Sequence, residues 1–193
     1  GFRYDGAALV AIAYPDGRSV EFGYDTTGRV ISRRSSDAGV ESWQYAERTT
    51  RLTRSDGFAS ELSRNERGLP MAYRDTAGLS RSWAWDGRGR LLSETFGDGS
   101  TLTHRYDDRS RLLGQTSSHG DEWRISYDAD SLRPARWEYN GAVTAFEYDG
   151  KGRLAAQTSP AGRRWSFAYD DRGRVAAISD GERRSTRYEH DAT

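Results

Sequence analysis

A Tyr-Asp pair recurs along this chain of 193 residues at a fixed interval, and that repetition constrains the fold more than any other feature. From residue 85 to residue 169 the aromatic position returns every 21 residues. The pairs are Tyr4-Asp5, Tyr24-Asp25, Tyr106-Asp107, Tyr127-Asp128, Tyr148-Asp149 and Tyr169-Asp170, and Trp85-Asp86 keeps the same frame. Roughly nine such units fit the sequence, so we expect residues 1–193 to form one array of stacked units.

Two further elements recur within each unit. Gly-Arg, followed by Val or Leu, begins four residues after the aromatic residue, as in Gly28-Arg29. The Asp carboxylate can accept a hydrogen bond from the backbone N–H two residues on, and the glycine can adopt the left-handed conformation that ends a turn. Asp-Gly or Asn-Gly midway through the unit is typical of a hairpin turn.

We predict that the repeat-defining turns are formed by Tyr24, Asp25, Gly28, Arg29, Trp85, Asp86, Gly89, Arg90, Tyr106, Asp107, Tyr127, Asp128, Tyr148, Asp149, Gly152, Arg153, Tyr169, Asp170, Gly173 and Arg174. Several units depart from this pattern. Tyr45-Ala46 lacks the Asp, the unit near Asn65 lacks the pair, and residues 127–133 lack the Gly. We expect bulges or register adjustments at these irregular units.

The segments between turns alternate apolar and polar residues with period two, which predicts strands with one aromatic face and one wet face. The fold class is therefore all-β: antiparallel hairpins of about 21 residues that form a curved or spiralling sheet. The residues expected on the inner or partner-facing side are Phe22, Trp43, Trp83, Trp123, Ile125, Phe146, Trp165 and Phe167.

This combination of Tyr-Asp-x-x-Gly-Arg-Leu, a mid-unit Asp-Gly and a period near 21 resembles the YD repeats of Rhs proteins, of the C components of insecticidal Tc toxins and of teneurins. The resemblance covers essentially the whole chain. It implies a β-sheet that spirals into a hollow shell, which in Rhs and Tc proteins encloses a toxic C-terminal domain until delivery. It also implies a bacterial protein that is secreted or delivered at the cell surface.

The family's shells usually close with a core region rich in Asp-Pro motifs, and this chain has four prolines of which none follows an Asp. The sequence also begins with Gly and shows no signal peptide. We therefore expect a segment of a larger shell. An open sheet with one aromatic face invites aggregation. It is expected to curl into a tube, to continue into further repeats, or to cover another polypeptide.

The sequence offers little for catalysis or for cofactor binding. Lys plus Arg equals Asp plus Glu at 29 each, which argues against nucleic acid as a partner, and the absence of Cys excludes disulfides and thiolate sites. The three His residues have no metal-ligand spacing, and the recurring Asp is better explained by turn geometry than by calcium binding or acid–base chemistry. We expect no enzyme activity, no cofactor, no metal and no membrane span.

Two functions remain open from the sequence. The first is a structural shell segment of an Rhs-type polymorphic toxin, whose partners are the remaining shell repeats and an enclosed toxin polypeptide. The second is a stand-alone YD-repeat module that binds a glycan or a protein partner in an immunity or chaperone-like role. Aromatic side chains on the exposed face suit either function, because they pack on sugars as well as on polypeptides.

Overall fold

The computed structural model describes residues 1–128, 131–182 and 184–191, and within these residues it contains strands and turns but no helix. The strands pair antiparallel with their neighbours in sequence, which confirms the all-β hairpin prediction. The described residues form 19 strands, one more than nine two-stranded units supply. They divide into two compact units, Gly1–Thr101 and Leu102–Thr193.

Unit one contains ten strands, and each is hydrogen-bonded to the next in chain order. The strands are β1 (Phe2–Asp5), β2 (Ala8–Ala13), β3 (Ser19–Tyr24), β4 (Val30–Ser35), β5 (Gly39–Tyr45), β6 (Thr49–Arg54), β7 (Ala59–Arg64), β8 (Pro70–Asp75), β9 (Ser80–Trp85) and β10 (Leu91–Phe96).

Unit two is built in the same way, and its first strand begins at Thr101, the last residue of unit one. Its strands are β11 (Thr101–Tyr106), β12 (Leu112–Ser117), β13 (Glu122–Tyr127), β14 (Pro134–Tyr139), β15 (Ala142–Tyr148), β16 (Leu154–Thr158), β17 (Arg164–Tyr169), β18 (Val175–Asp180) and β19 (Ser185–Arg187).

The regular YD turns share one backbone geometry, which explains the fixed position of their glycine. In the turn from Asp170 to Arg174, the Asp N–H donates to the Arg carbonyl and the Gly173 N–H donates to the Asp carbonyl, both at 2.9 Å. This is a type I turn closed by a left-handed residue, a common three-residue hairpin loop. Gly173 is that residue, with φ of 81°. Glycine adopts this φ without the steric cost that a Cβ brings.

Ser110 occupies the same turn position with φ of 65°, so the third YD turn contains a built-in strain. We expect Ser110→Gly to raise the free energy of unfolding by about 0.5–1 kcal/mol, because relief of the left-handed strain outweighs the extra chain entropy of glycine. The reciprocal change Gly173→Ser should lower it by about 1 kcal/mol. Urea unfolding of the two variants measures both effects, and a destabilised Ser110→Gly variant would contradict this account.

In most YD hairpins, including the regular ones, a bulge lies on the strand opposite the aromatic residue. Tyr24 pairs with Val30 and Gly23 with Ser32, so Ile31 is the extra residue on its strand. The same shift recurs beside Tyr106, Tyr148 and Tyr169. By contrast, the irregular hairpin at Tyr45 pairs without a shift. The bulge therefore belongs to the repeat itself, and the expectation that it marks irregular units is wrong for Tyr45.

Each unit is a single layer of sheet with almost no core. Side chains of directly paired residues lie on the same face, so the pairing assigns every strand residue to a face. We call one the aromatic face, which carries Phe22, Trp43, Trp83 and their equivalents. The other is the small-residue face, with Ser, Ala and Gly at positions such as Ser32, Ser82 and Ala168. Among the described residues, Val20 and Ala156 are the buried hydrophobic side chains, 6% and 1% exposed.

Candidate functional site

The Asp of each regular YD turn holds its own turn closed. One carboxylate oxygen of Asp149 accepts hydrogen bonds from the N–H groups of Lys151 and Arg153, both at 2.9 Å. Its second oxygen accepts from Nε of Arg153 at 2.7 Å. The same three bonds recur at Asp25, Asp86, Asp107 and Asp170. In these turns one carboxylate therefore satisfies both the backbone N–H groups and the guanidinium.

These bonds favour the ionised carboxylate and lower its pKa. The Arg90 backbone N–H and then the Arg90 side chain lower the pKa of Asp86 to about 2, against an ordinary value of 3.8. The pKa values of Asp25, Asp149 and Asp170 are lowered as well; the largest cause is the Thr27 hydroxyl for Asp25, the Arg153 N–H for Asp149 and the Arg174 side chain for Asp170.

We expect the folded chain to lose stability as the pH falls from about 4 to about 2. Because the pKa of Asp86 is lower in the folded state, the unfolded state binds the extra proton first, and this stabilisation is complete only above the ordinary value. Asp86→Asn should destabilise the protein at neutral pH and show a smaller further loss in acid. Urea unfolding at about pH 5 and about pH 3 measures the difference. An unchanged acid slope in Asp86→Asn would contradict the assignment.

In several YD pairs the tyrosine joins its own hairpin to the preceding one. The Tyr169 hydroxyl donates to the Leu154 carbonyl at 2.8 Å, and Leu154 directly follows the Arg of the preceding turn. Tyr24, Tyr127 and Tyr148 make the corresponding bonds to Leu9, Leu112 and Pro134 at 2.7–2.9 Å, and Trp85 uses its indole N–H on Pro70 at 2.6 Å. Both Tyr and Trp carry a hydrogen-bond donor at the far end of an aromatic ring.

The arginine of one turn contacts the tyrosine of the next. The Arg153 guanidinium lies 4.4 Å from the Tyr169 ring centroid, and Arg29 and Arg111 lie similarly over Tyr45 and Tyr127. Cations over aromatic faces at such distances are stabilising. Asp therefore binds Arg, Arg covers the next Tyr, and that Tyr donates to the strand that follows the Arg. We call this repeating arrangement along one edge of each unit the Tyr-Asp-Arg ladder.

Some predicted turn residues deviate from the regular geometry. The turn after Tyr127 is one residue longer, because the Asp128 N–H donates to the Arg133 carbonyl at 3.2 Å. Ser131 takes part in closing it, with its Oγ accepting from the Arg133 N–H. Tyr106 ends β11, and Asp107 forms the regular set of bonds to Arg109 and Arg111.

Sequence reasoning missed two residues that take ladder positions, Asn65 and His190. Asn65 accepts backbone N–H bonds from residues two and four positions on, as the YD aspartates do. Asp75 and Asp180 accept the same pair of bonds in mid-unit turns, and Asp180-Gly181 fits the mid-unit Asp-Gly pattern of the sequence. His190 lies 21 residues after Tyr169, and its Nε2 is 2.8 Å from the Val175 carbonyl. Extending the 21-residue frame through non-Tyr positions is the signal that locates His190.

The predicted partner-facing residues lie on the aromatic face, and each is half-buried. The list is Phe22, Trp43, Trp83, Trp123, Ile125, Phe146, Trp165 and Phe167. In unit one this face also carries ion pairs, Arg33 with Glu41 at 3.2 Å and Arg81 with Glu94 at 3.0 Å. The Trp83 indole N–H donates to the same Glu94. That this face meets a partner stays a prediction.

The described residues give the site no evident catalytic or metal chemistry. Within them, no three His, Asp or Glu side chains are arranged to hold a metal ion. A groove of about 580 Å³ in unit one is lined by small residues together with Tyr73, Phe96, Arg81 and the Glu61–Arg74 ion pair. Over the same described ranges, no helix is long and apolar enough to cross a membrane. The site therefore consists of an extended surface, formed by the Tyr-Asp-Arg ladder and the aromatic face.

Comparison with known families identifies the repeat. The family model described as RHS Repeat matches residues 64–101, 127–164 and 148–185, which together make up just over half of the chain. The chain belongs to the RHS repeat family. No curated protein matches it. In this RHS repeat chain, the repeated Tyr, Asp and Arg residues are therefore the ones that form the Tyr-Asp-Arg ladder.

Solved structures share the fold of this RHS repeat chain. It is similar to a chain of the Photorhabdus luminescens Tc holotoxin pore, with a TM-score of 0.68 at 14% identity over 96% of this chain. It is also similar to TcdB2-TccC3-Cdc42 and to TcdB2-TccC3, with TM-scores of 0.61 and 0.59 at 17% identity, over 93% and 91% of this chain. In each case it spans 11% of the solved chain. The repeat fold is thus a structural segment found within much longer toxin chains.

Proposed function

We propose that this RHS repeat chain is a shell segment of an Rhs-type polymorphic toxin protein, and that the shell encloses a toxic C-terminal domain. The single observation that carries the proposal is the missing core: each unit is one layer of sheet. The chain exposes 13069 Å² of surface. A compact protein of this size exposes about 9,200 Å². A sheet with this much uncovered surface is stabilised when it covers, or is covered by, another polypeptide.

The resemblance to Tc toxin chains supports the same reading. Those solved chains carry a similar fold over a small part of their length, and they belong to a Tc holotoxin pore and to TcdB2-TccC3. A protein of this class acts outside the cell that makes it, so we place this chain among secreted or surface-delivered bacterial proteins. The shell itself contributes containment rather than chemistry.

Limited proteolysis of the native protein, isolated from the cell that produces it, tests the proposal. We expect a polypeptide from outside residues 1–193 to resist protease while the repeats are folded and to become digestible in denaturant. Mass spectrometry identifies that polypeptide. Repeats that elute as a stable species with no protected polypeptide would overturn the proposal.

A further inference from the structure

One hairpin of unit two exposes more apolar surface than the repeat requires. Within the described part of that unit, the exposed large hydrophobic side chains are Leu132, Trp137, Tyr139 and Tyr188. Trp137 and Tyr139 lie in β14, and Leu132 lies in the turn that joins β13 to β14. Trp137 and Tyr139 are 42% and 45% exposed, and Leu132 is 81% exposed. The exposed apolar surface of unit two is therefore concentrated on the β13–β14 hairpin.

These aromatic residues form one continuous cluster. Trp123 pairs with Tyr139 and Ile125 pairs with Trp137, which puts all four side chains on the aromatic face. The Trp137 and Tyr139 rings are parallel within 13°, with centroids 6.3 Å apart. We call Trp123, Ile125, Trp137 and Tyr139 the hairpin cluster. It offers an adjacent set of rigid aromatic groups, as the centres of protein interfaces commonly do.

The repeat does not account for the aromatic residues of this cluster. The position of Trp137, opposite the residue two before the YD aromatic, is occupied in other units by Arg33, Leu52, Glu94, Gln115, Gln157 and Ile178, and by Tyr73 in the unit near Asn65. The position of Tyr139 is occupied by Ser35, Arg54, Phe96, Ser117 and Asp180. Hairpins of this fold thus form with charged or small residues there, so the aromatic choice serves something other than folding.

The electrostatic character of the cluster limits what it can bind. Its neighbours on the aromatic face are Gln115, paired with Trp123, Thr144, paired with Trp137, and Asp121, whose carboxylate accepts from the Tyr139 hydroxyl at 3.4 Å. The Gln115 amide oxygen already accepts from the Trp123 indole, and Thr144 is buried. The charges of β14 point the other way: Glu138 lies 3.7 Å from Arg124 on the small-residue face. Asp121, at the Tyr139 end, already accepts from Tyr139 and Asn140, and the strand partners of Trp123, Ile125 and Trp137 are all uncharged.

We propose that the hairpin cluster is the point where this sheet contacts an uncharged, apolar segment of the polypeptide that it covers. The inference rests on the proposed function and assigns its contact surface. The apolar side chains of Trp123, Ile125 and Trp137 favour this occupant, because a charged group seated on them would be desolvated without a partner. Elsewhere the same face carries the Arg33–Glu41, Arg81–Glu94 and Arg163–Asp180 ion pairs, so the preference is local to the hairpin cluster.

The test measures binding of short synthetic peptides to the chain by tryptophan fluorescence. One peptide consists of Leu, Phe and Ser, and a second replaces its apolar residues with Lys and Glu. We expect only the apolar peptide to bind, and the double variant Trp137→Ser, Tyr139→Ser to weaken it by about tenfold or more. The control Arg136→Ser, Glu138→Ser changes the opposite face of the same strand and should alter affinity less than about twofold.

Other occupants are separate outcomes of the same experiment. Binding of a neutral oligosaccharide without the apolar peptide, or a dimer in light scattering that the double variant abolishes, would overturn the inference. Peptide binding that the double variant leaves unchanged would also overturn it. If the double variant does not fold, hydroxyl-radical footprinting of the unaltered chain decides: the peptide must protect Trp137 and Tyr139. A native protein with a protease-protected polypeptide, but without that footprint, would refute this inference and leave the proposed function intact.

Discussion

Tyr169→Ala is expected to lower the free energy of unfolding by about 3 kcal/mol. The substitution removes three interactions at once. The hydroxyl bond to the Leu154 carbonyl is lost, and so is the contact between the ring and the Arg153 guanidinium. The half-buried ring also leaves a gap in a sheet that has no second layer to fill it. Arg153 keeps its bond to Asp149, so the turn itself should survive while its hold on the next hairpin is lost.

Tyr169→Phe separates these contributions. It deletes only the hydroxyl, and the expected loss is about 1 kcal/mol, typical of one hydrogen bond. Tyr14→Phe is the matched control, because Tyr14 lies in a mid-unit turn and is 42% exposed, and its loss should be near zero. Urea unfolding followed by circular dichroism measures all three variants. Equal losses for Tyr169→Phe and Tyr14→Phe would show that the hydroxyl does not link the hairpins.

Gly114→Ala is the second large effect, with an expected loss of about 2 kcal/mol. Gly114 pairs with Arg105 on one side and Arg124 on the other, in the middle of three strands. A Cβ on Gly114 would lie 2.5 Å from the Trp123 carbonyl oxygen and 3.3 Å from the Arg124 Cα. Both contacts are backbone atoms, so the strands themselves must separate to accommodate a single methyl group.

Gly150→Ala provides the control for this substitution. Gly150 lies in a YD turn of the same unit, and a Cβ there meets nothing within 4 Å. It should be neutral or slightly stabilising, since alanine reduces the entropy of the unfolded chain. Thermal unfolding of the two variants gives the comparison. If Gly114→Ala were as stable as Gly150→Ala, the close approach of β12 and β13 at this point would be wrong.

The hairpin fold follows from the sequence because its determinants are local. Asp149, Gly152 and Arg153 act on one another within five residues, and such a turn forms with the same geometry wherever the pattern recurs. The alternation between turns then assigns strands. The fold class, the period and the antiparallel order could therefore be predicted without any knowledge of distant contacts.

The contacts between hairpins could not be predicted in the same way. The Tyr169 hydroxyl donates to the backbone carbonyl of Leu154. Every residue has a backbone carbonyl, so the identity of Leu154 gives no indication of this contact. The bulge opposite Tyr24 has the same difficulty, because Ile31 looks like an ordinary strand residue. Asn65 and His190 take ladder positions by hydrogen-bonding capacity rather than by identity.

The aromatic face illustrates a further limit. Counting back two residues from the YD aromatic residue locates Phe22 and Trp83, and strand pairing puts both on the aromatic face. Trp137 and Tyr139 belong to the same face through cross-strand pairing with Ile125 and Trp123. That pairing depends on the bulge opposite Tyr127, where Ala135 is the extra residue between Pro134 and Arg136. A shift of one residue would have placed both rings on the opposite side.

The Tyr-Asp-Arg ladder also has a mechanical consequence. Each rung joins one hairpin to the hairpin before it, so load applied to a chain end is borne by one rung at a time. Pulled from its end, such an array should peel hairpin by hairpin at a nearly constant force, since successive rungs are chemically alike. A hairpin held by a different side chain, such as the one at His190, should detach at a different force.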